Sequence, residues 1–219
     1  LTDVCVSATA GREITAGMTR ARVLLALWAV AAPAVPADAA TTDSSQATTV
    51  SSWSVGSAGM EQTCAIRGDG TLWCWGNNTD WQLGDDITAS RSTPHQVGDA
   101  TDWTSVSTAR SHTCGIRAGT LWCWGTNTYL QVGEETVGGS TTPVQVGGAE
   151  DWISVSAGSF HTCGIRRGGT LWCWGTNVGQ LGDGTANERP APVQIKGAGE
   201  WTSVASGGTH TCGIRATGT

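Results

Sequence analysis

Short runs of β-branched and aromatic residues, separated by turns rich in glycine and asparagine, follow one another along most of this chain. Within residues 152–195 the pattern predicts four strands, at 152–158, 161–166, 170–175 and 192–195. The middle two flank a three-residue turn, which is typical of a β-hairpin. Nothing in this stretch has the 3.6-residue apolar period of a helix. The pattern therefore predicts a four-stranded antiparallel unit.

The same unit recurs every 49 or 50 residues. Its opening tryptophan appears at Trp53, Trp103, Trp152 and Trp201, and a cysteine follows 11 residues after each one. Four short strands in a repeat of this length are typical of a β-propeller blade. We expect an all-β fold, an incomplete propeller of three repeats and a fragment from a ring of six or seven blades. The repeats are predicted at 51–100, 101–149, 150–198 and 199–219, and we expect the natural protein to continue beyond the fragment.

The register of the hairpin predicts disulfide bonds. If Arg166 pairs with Thr170 across the turn of the third copy, Cys163 lies opposite Cys173. The turn of the second copy is one residue shorter, yet the same pairing again sets two cysteines opposite each other. Directly opposite residues have Cβ atoms about 4.5–5.5 Å apart, somewhat long for a disulfide and closest at non-hydrogen-bonded pairs. The predicted bonds are Cys64–Cys74, Cys114–Cys123 and Cys163–Cys173.

The same register predicts how the tryptophans pack. It places Gly164 opposite Trp172 and Thr162 opposite Trp174, so we expect the glycine to leave room for the Trp172 indole. The cysteines and aliphatic residues lie on the other face. Because both faces are apolar, we expect each blade to be buried between two neighbours.

The N-terminal part of the chain resembles an export signal. Residues 18–39 start with a methionine and a short basic stretch, continue with the apolar run 23–32, and end in an Ala-Asp-Ala site at 37–39. These features predict a signal peptide, and ten apolar residues fall short of the roughly 20 that span a bilayer. We interpret 1–17 as upstream translated sequence and 40–50 as a disordered linker. The mature protein is therefore expected to be secreted or on the cell surface, with no membrane insertion.

Charge excludes one class of partner. The chain has a formal net charge of −6 and a single lysine, Lys196. Removal of residues 1–39 takes away three arginines and three carboxylates, so the net charge is unchanged. Nucleic-acid binding requires clustered basic residues. We therefore expect a protein partner and no nucleic acid.

The recurring histidines raise the question of metal binding or catalysis. His112, His161 and His210 each stand two residues before a cysteine, but a zinc site would need reduced thiols and a further ligand, and the first copy has Gln62 at this position. No nucleophile or carboxylate pair accompanies them as a general base would require. We expect a structural role for these histidines, no metal or cofactor, and no enzymatic activity.

The motif HTCGIR, followed by GTLWCWG, GQLGDGT and a Pro-x-Gln-Val/Ile strand, closely resembles the repeat of the regulator of chromosome condensation family over residues 51–219. Its many cysteines and tryptophans and the leader are similar to the family's exported bacterial branch. The resemblance implies a propeller, typically of seven four-stranded blades, that presents its faces to other proteins. Family members include a chromatin-bound guanine-nucleotide exchange factor, a secreted β-lactamase inhibitor and a plant ultraviolet photoreceptor. The photoreceptor's tryptophans correspond here to Arg110, Ser159 and Gly208, which disfavours light sensing.

Function is expected where the copies differ from one another. Such positions lie just before the second strand and in the long loop after the third, and aromatic or arginine side chains there are candidate contact anchors. Our leading hypothesis is a non-catalytic, secreted or cell-surface protein-binding scaffold. The alternatives are an exported enzyme, or a propeller attached to one whose catalytic part lies elsewhere, and an exchange-factor-like regulator. The candidate contact residues are Trp81, Arg110, Leu130 and Phe160.

Overall fold

The computed structural model describes residues 52–135, 138–197 and 200–216, so the predicted signal peptide and the segments around it lie outside the described part. The described residues form fourteen strands and three four-stranded antiparallel sheets followed by a two-stranded one. The sheets are β1–β4, β5–β8, β9–β12 and β13–β14, each in chain order. The strands are β1 (Trp53–Ala58), β2 (Gln62–Arg67), β3 (Leu72–Gly76), β4 (Arg91–Gln96), β5 (Trp103–Thr108), β6 (His112–Arg117), β7 (Thr120–Thr126), β8 (Gly139–Gln145), β9 (Trp152–Ala157), β10 (His161–Arg166), β11 (Thr170–Gly175), β12 (Arg189–Gln194), β13 (Trp201–Ser206) and β14 (Thr211–Arg215).

These sheets are consecutive blades of an incomplete propeller, which confirms the predicted fold class. The first strands β1, β5, β9 and β13 contact one another in sequence, and the second strand of each sheet also contacts the first strand of the next. Within the residues that the structure describes there is no helix that could cross a membrane.

The predicted strand limits agree best with the structure where the paired strands are joined by a short turn. β10 and β11 occupy the predicted residues, and β9 ends one residue early. The fourth strand was predicted at 192–195, whereas β12 begins at Arg189, which lies opposite Gly175. Ile195 follows the strand and buries its side chain while its backbone N–H donates to the Leu171 carbonyl at 2.9 Å. The sequence did not predict the true start of this edge strand because the strand contains proline and follows a variable loop.

The hairpin register agrees with the prediction at every pair, including Cys163 opposite Cys173. All three predicted cysteine pairs are bonded, each with Cα atoms 4.1 Å apart, and their sulfur-bearing side chains are buried. The cysteine face of one blade packs against tryptophans of the next. In the first such cluster Cys64 and Cys74 lie with Trp103 and Trp124.

The predicted packing of Trp172 over Gly164 is wrong. A Cβ atom built on Gly164 would lie 2.8 Å from the ring of Trp152, so the space is filled by the tryptophan of β9. Trp172 instead lies beneath the Arg166 guanidinium, 5.2 Å from its ring centroid. Pairing within the hairpin did not anticipate this contact because Trp152 comes from the strand on the other side of β10.

Candidate partner-binding face

The histidines connect one blade to the next. His112 and His161 are fully buried, and His112 Nε2 lies 2.8 Å from Thr162 Oγ1 of the following blade. The Thr162 hydroxyl donates its hydrogen to the Gln131 carbonyl at 2.7 Å, so it accepts from His112. Gln62 holds the same position in the first repeat and also reaches the next blade, but through a different acceptor: its Nε2 donates to the Ala109 carbonyl at 2.8 Å. These recurring side chains are therefore part of the architecture.

Burial keeps both histidines uncharged at neutral pH. It lowers the pKa of His112 from 6.5 to about 3, with a further contribution from His161. Burial likewise lowers the pKa of His161 to about 4, with a smaller contribution from His210. The Nδ1 atoms of His112 and His161 are buried without a hydrogen-bond partner. Across the described ranges, no three His, Cys, Asp or Glu side chains come close enough to hold a metal ion.

The turns between first and second strands share one backbone geometry. The Ala109 N–H donates to the His112 carbonyl at 3.0 Å, and the Gly158 N–H donates to the His161 carbonyl at 2.8 Å. Because these bonds recur, the two residues inside each turn project from the same end of every blade. Their identity differs from one repeat to the next, and Arg110 and Phe160 lie at these positions.

Arg110, Tyr129 and Phe160 form a cluster at this end of the propeller, which we call the Arg110 cluster. The Phe160 and Tyr129 rings meet edge to face, with centroids 4.8 Å apart at 69°. The Arg110 guanidinium lies 5.8 Å from the Phe160 centroid. Arg110 is exposed, Tyr129 is 44% exposed and Phe160 is half-buried. The second blade supplies the first two residues and the third blade supplies Phe160, so the cluster bridges a blade junction.

A recurring turn holds Tyr129 in place. The buried Gln131 side chain accepts the Tyr129 N–H at 2.8 Å, just as Gln82 accepts the Asp80 N–H at 2.9 Å in the first repeat. Leu130 adds a backbone bond to the Asn127 carbonyl at 3.0 Å. The turn therefore fixes the backbone, while the side chain that it presents changes from repeat to repeat.

Two shallow grooves meet at Arg110. One, of about 230 Å³, is bordered by Asp80, Tyr129 and Phe160. The other, of about 290 Å³, lies over the ends of the first strands and is bordered by the exposed Met60. In the described part of the chain Arg110 forms no ion pair, which leaves its guanidinium donors available to a partner.

The structure thus unites two of the four predicted contact residues, Arg110 and Phe160. Trp81 and Leu130 occupy equivalent half-buried turn positions, with φ of 62° and 60°, and the ring contacts of the cluster do not include them. Tyr129, the residue before Leu130, was missed. It is the chain's one tyrosine and stands at a position that varies between repeats, and these two signals could have identified it.

Solved structures with a similar fold were found among known proteins. Prp20p from Saccharomyces cerevisiae, whose structure was reported with its binding properties to Gsp1p and histones, is 20% identical with a TM-score of 0.67, over 74% of this chain and 44% of that chain. Yeast RCC1 (Prp20) bound to Kap60 is 18% identical with a TM-score of 0.65, over 74% and 42%. Human WBSCR16 is 18% identical with a TM-score of 0.50, over 78% and 59%. This chain therefore spans less than half the length of the yeast structures. Among curated proteins, none matches it.

Family models match three successive segments of the chain. The Regulator of chromosome condensation (RCC1) repeat matches residues 69–116, 118–165 and 168–214, and a second model of the same repeat matches 152–180. Each of the three longer matches begins near the turn after the second strand and ends in the second strand of the next blade, so it spans a blade junction. These matches cover more than half of the 219 residues. The chain belongs to the Regulator of chromosome condensation (RCC1) repeat family.

Proposed function

We propose that this protein is a secreted or cell-surface propeller that binds a protein partner through the Arg110 cluster and catalyses no reaction. The observation that carries the proposal is a division between two kinds of residue. Recurring residues such as His112 and Trp124 are buried and lie at the contacts between blades. Arg110, Tyr129 and Phe160 instead differ between repeats and meet at one end of the propeller. Aromatic residues and arginine are the types enriched at the energetic centres of interfaces.

Relatives support a protein as the partner. The yeast protein Prp20, which has this fold, is described in one structure with its binding properties to Gsp1p and histones and in another as bound to Kap60. The net charge of −6 disfavours nucleic acid as the partner of this chain. A protein surface rich in backbone carbonyls or carboxylates would suit the guanidinium of Arg110, and an apolar side chain would suit the Tyr129 and Phe160 rings.

Export is supported by the cysteines and by the predicted signal peptide. Three buried disulfides recur at one position in successive blades. Such bonds persist in oxidising compartments and are rare in the cytosol. Residues 18–39 carry the sequence features of a secretory signal.

The test is capture of partners from culture supernatant by the oxidised protein and by a variant whose replacements come from the chain itself. Arg110→Ser and Phe160→Ser introduce residues found at these turns in other repeats, and Tyr129→Val copies Val178. We expect the triple variant to lose a partner that the unaltered protein retains. The unfolding transition should change little, because the main cost is one aromatic pair worth about 0.5–1.5 kcal/mol.

A matched control replaces an arginine and an apolar residue away from the cluster. Arg167→Ala and Ile153→Ala alter exposed side chains, and this double variant should capture the partner normally. Equal capture by the triple variant would place the binding surface elsewhere. Hydrolytic or nucleotide-exchange activity of the purified repeats would contradict the proposal of a non-catalytic protein.

A further inference from the structure

The turns between first and second strands are hydrogen-bonded to one another across two blade junctions. The Met60 N–H donates to the Ala109 carbonyl of the second repeat at 3.2 Å. In the same way, the Ser159 N–H donates to the Gly207 carbonyl of the fourth repeat at 3.1 Å. The two residues in each pair are equivalent between these junctions, so the bond is a recurring feature of this end of the propeller.

The junction between the second and third blades lacks this bond. Its equivalent groups are the Arg110 N–H and the Gly158 carbonyl, and neither forms a hydrogen bond within the described part of the chain. Both residues border the groove of about 290 Å³. An unused backbone donor and an unused backbone acceptor are therefore found together at the edge of the Arg110 cluster.

One methyl group explains the missing bond. The residue that precedes the donor is Gly59 in the first repeat and Gly158 in the third, but it is Ala109 in the second. An added Cβ would lie 2.3 Å from the Ala109 carbonyl oxygen if built on Gly59, and 2.5 Å from the Gly207 carbonyl oxygen if built on Gly158. Neither glycine has a positive φ, so the close approach of the next turn is what requires glycine. Because Ala109 carries this Cβ, the next turn is held away and the Arg110 N–H loses its acceptor.

The side chain of Arg110 adds further donors at the same place. Its guanidinium lies 5.8 Å from the Phe160 ring centroid and forms no ion pair among the described residues. A main-chain N–H and a guanidinium on one residue are complementary to a carboxylate, because hydrogen bonds to ionised groups are the strongest that proteins make. Asp80 borders the adjoining groove, so a run of acidic residues would be repelled and a single carboxylate is favoured.

We infer that the Arg110 cluster binds a protein segment that has one acidic residue next to an apolar one. The carboxylate accepts hydrogen bonds from the main chain and the guanidinium of Arg110, and a backbone N–H of the segment donates to the Gly158 carbonyl. The apolar side chain packs on the rings of Tyr129 and Phe160. A free anion could make only the first of these contacts. This inference rests on the proposed function, to which it adds the chemistry of the partner and a role for Ala109.

Amide hydrogen exchange of the full 219-residue chain tests the unused N–H. We expect the Arg110 amide to exchange at least about tenfold faster than the bonded amides of Met60 and Ser159. Ala109→Gly should restore the bond to Gly158 and slow exchange at Arg110. Equal exchange of the three amides in the unaltered protein would overturn the inference.

A short peptide tests the chemistry of the occupant. The probe is N-acetyl-Glu-Leu-amide, titrated into the isotopically labelled protein and followed by NMR. We expect saturable shifts of the Arg110, Tyr129 and Phe160 amide resonances. N-acetyl-Gln-Leu-amide should bind about tenfold more weakly or worse because it has no charge, and sodium acetate should also bind more weakly because it has neither a backbone N–H nor an apolar side chain.

Two alanine variants locate the site. Ala109→Gly should weaken binding of the Glu-Leu peptide about tenfold although every side chain of the Arg110 cluster is retained, since the Arg110 N–H is then occupied. Ala149→Gly is the matched control, because Ala149 lies outside both grooves, and it should bind the peptide normally. Thermal melts establish that both variants are folded.

Three results would overturn the inference: equal affinity for the glutamate and glutamine peptides, equal affinity for acetate, or unchanged peptide affinity in Ala109→Gly. Partner capture separates this inference from the proposed function. If the triple variant loses the partner while Ala109→Gly captures it in full, the function stands and the inference fails. If the triple variant also captures it in full, the proposed function fails as well.

Discussion

His112 and His161 join neighbouring blades by remaining neutral. The hydroxyl of Thr162 is committed as a donor to Gln131, so His112 must carry its proton on Nε2. A second proton on Nδ1 would be buried with no acceptor in contact. Protonation would therefore bury a charge without a compensating hydrogen bond, and this loss of solvation is the main physical reason for the low pKa of His112.

The low pKa values of His112 and His161 make the stability of the folded protein depend on pH. In the unfolded chain these histidines bind protons near pH 6.5, whereas in the folded protein they do so near 3 and 4. The unfolded state therefore binds more protons below pH 6.5, and the free energy of unfolding should fall as pH falls through that range. The loss is at most about 1.4 kcal/mol per pH unit for each histidine. Urea unfolding between pH 7.5 and 4.5 measures it.

Variants at three histidines test whether His112 and His161 cause this pH dependence of the free energy of unfolding. His112→Gln and His161→Gln together should flatten the pH dependence of stability. Glutamine occupies the same position in the first repeat, where Gln62 bonds the next blade, and it does not titrate in this range. His95→Gln, which alters an exposed histidine, should leave the dependence unchanged. An unaltered slope in the double variant would mean that other groups control acid stability.

At the scale of secondary-structure elements, the disulfide-bonded hairpin is the most predictable unit. The pairing of β10 with β11 follows from a three-residue turn and from alternation of faces, both of which are local in sequence. The position of Trp152 over Gly164 and the start of β12 at Arg189 depend on the strands on either side of the hairpin, and residue spacing within the hairpin carries no information about them. Tyr129 could not be placed beside Phe160 for the same reason, since the two rings belong to different blades.

The hairpin disulfides should be measurable one at a time. Replacing both Cys114 and Cys123 by alanine should lower the free energy of unfolding by at most about 3 kcal/mol, the loop-closure value for so short a loop. Urea unfolding of the oxidised protein measures the change, and non-reducing peptide mapping should show Cys64–Cys74 and Cys163–Cys173 intact. Free thiols throughout, or bonds between different repeats, would contradict the assignment and weaken the case for export.

In the molecule as a whole, the residues that recur between repeats provide stability, and the residues that differ between repeats are the candidates for recognition. The blade junctions use one set of contacts repeatedly: a disulfide face against tryptophans, a buried indole that donates to a carbonyl of the preceding blade, and a side chain that reaches the next blade. These contacts fix where the turns emerge but leave the turn residues free to differ. The sequence could therefore predict the fold and two members of the Arg110 cluster, whereas the grouping of those residues required the stacking of blades.

The most direct test of this account compares two residues that lie in one short segment and have opposite expected roles. Arg110 is exposed and differs between repeats, while His112 is buried and bonded to the next blade. Arg110→Ser should weaken partner capture about tenfold or more and change the free energy of unfolding by less than about 0.5 kcal/mol. His112→Ala should lower the free energy of unfolding by about 1–3 kcal/mol, while the protein that remains folded captures the partner normally. The account would be contradicted if Arg110→Ser destabilised the fold and left capture intact.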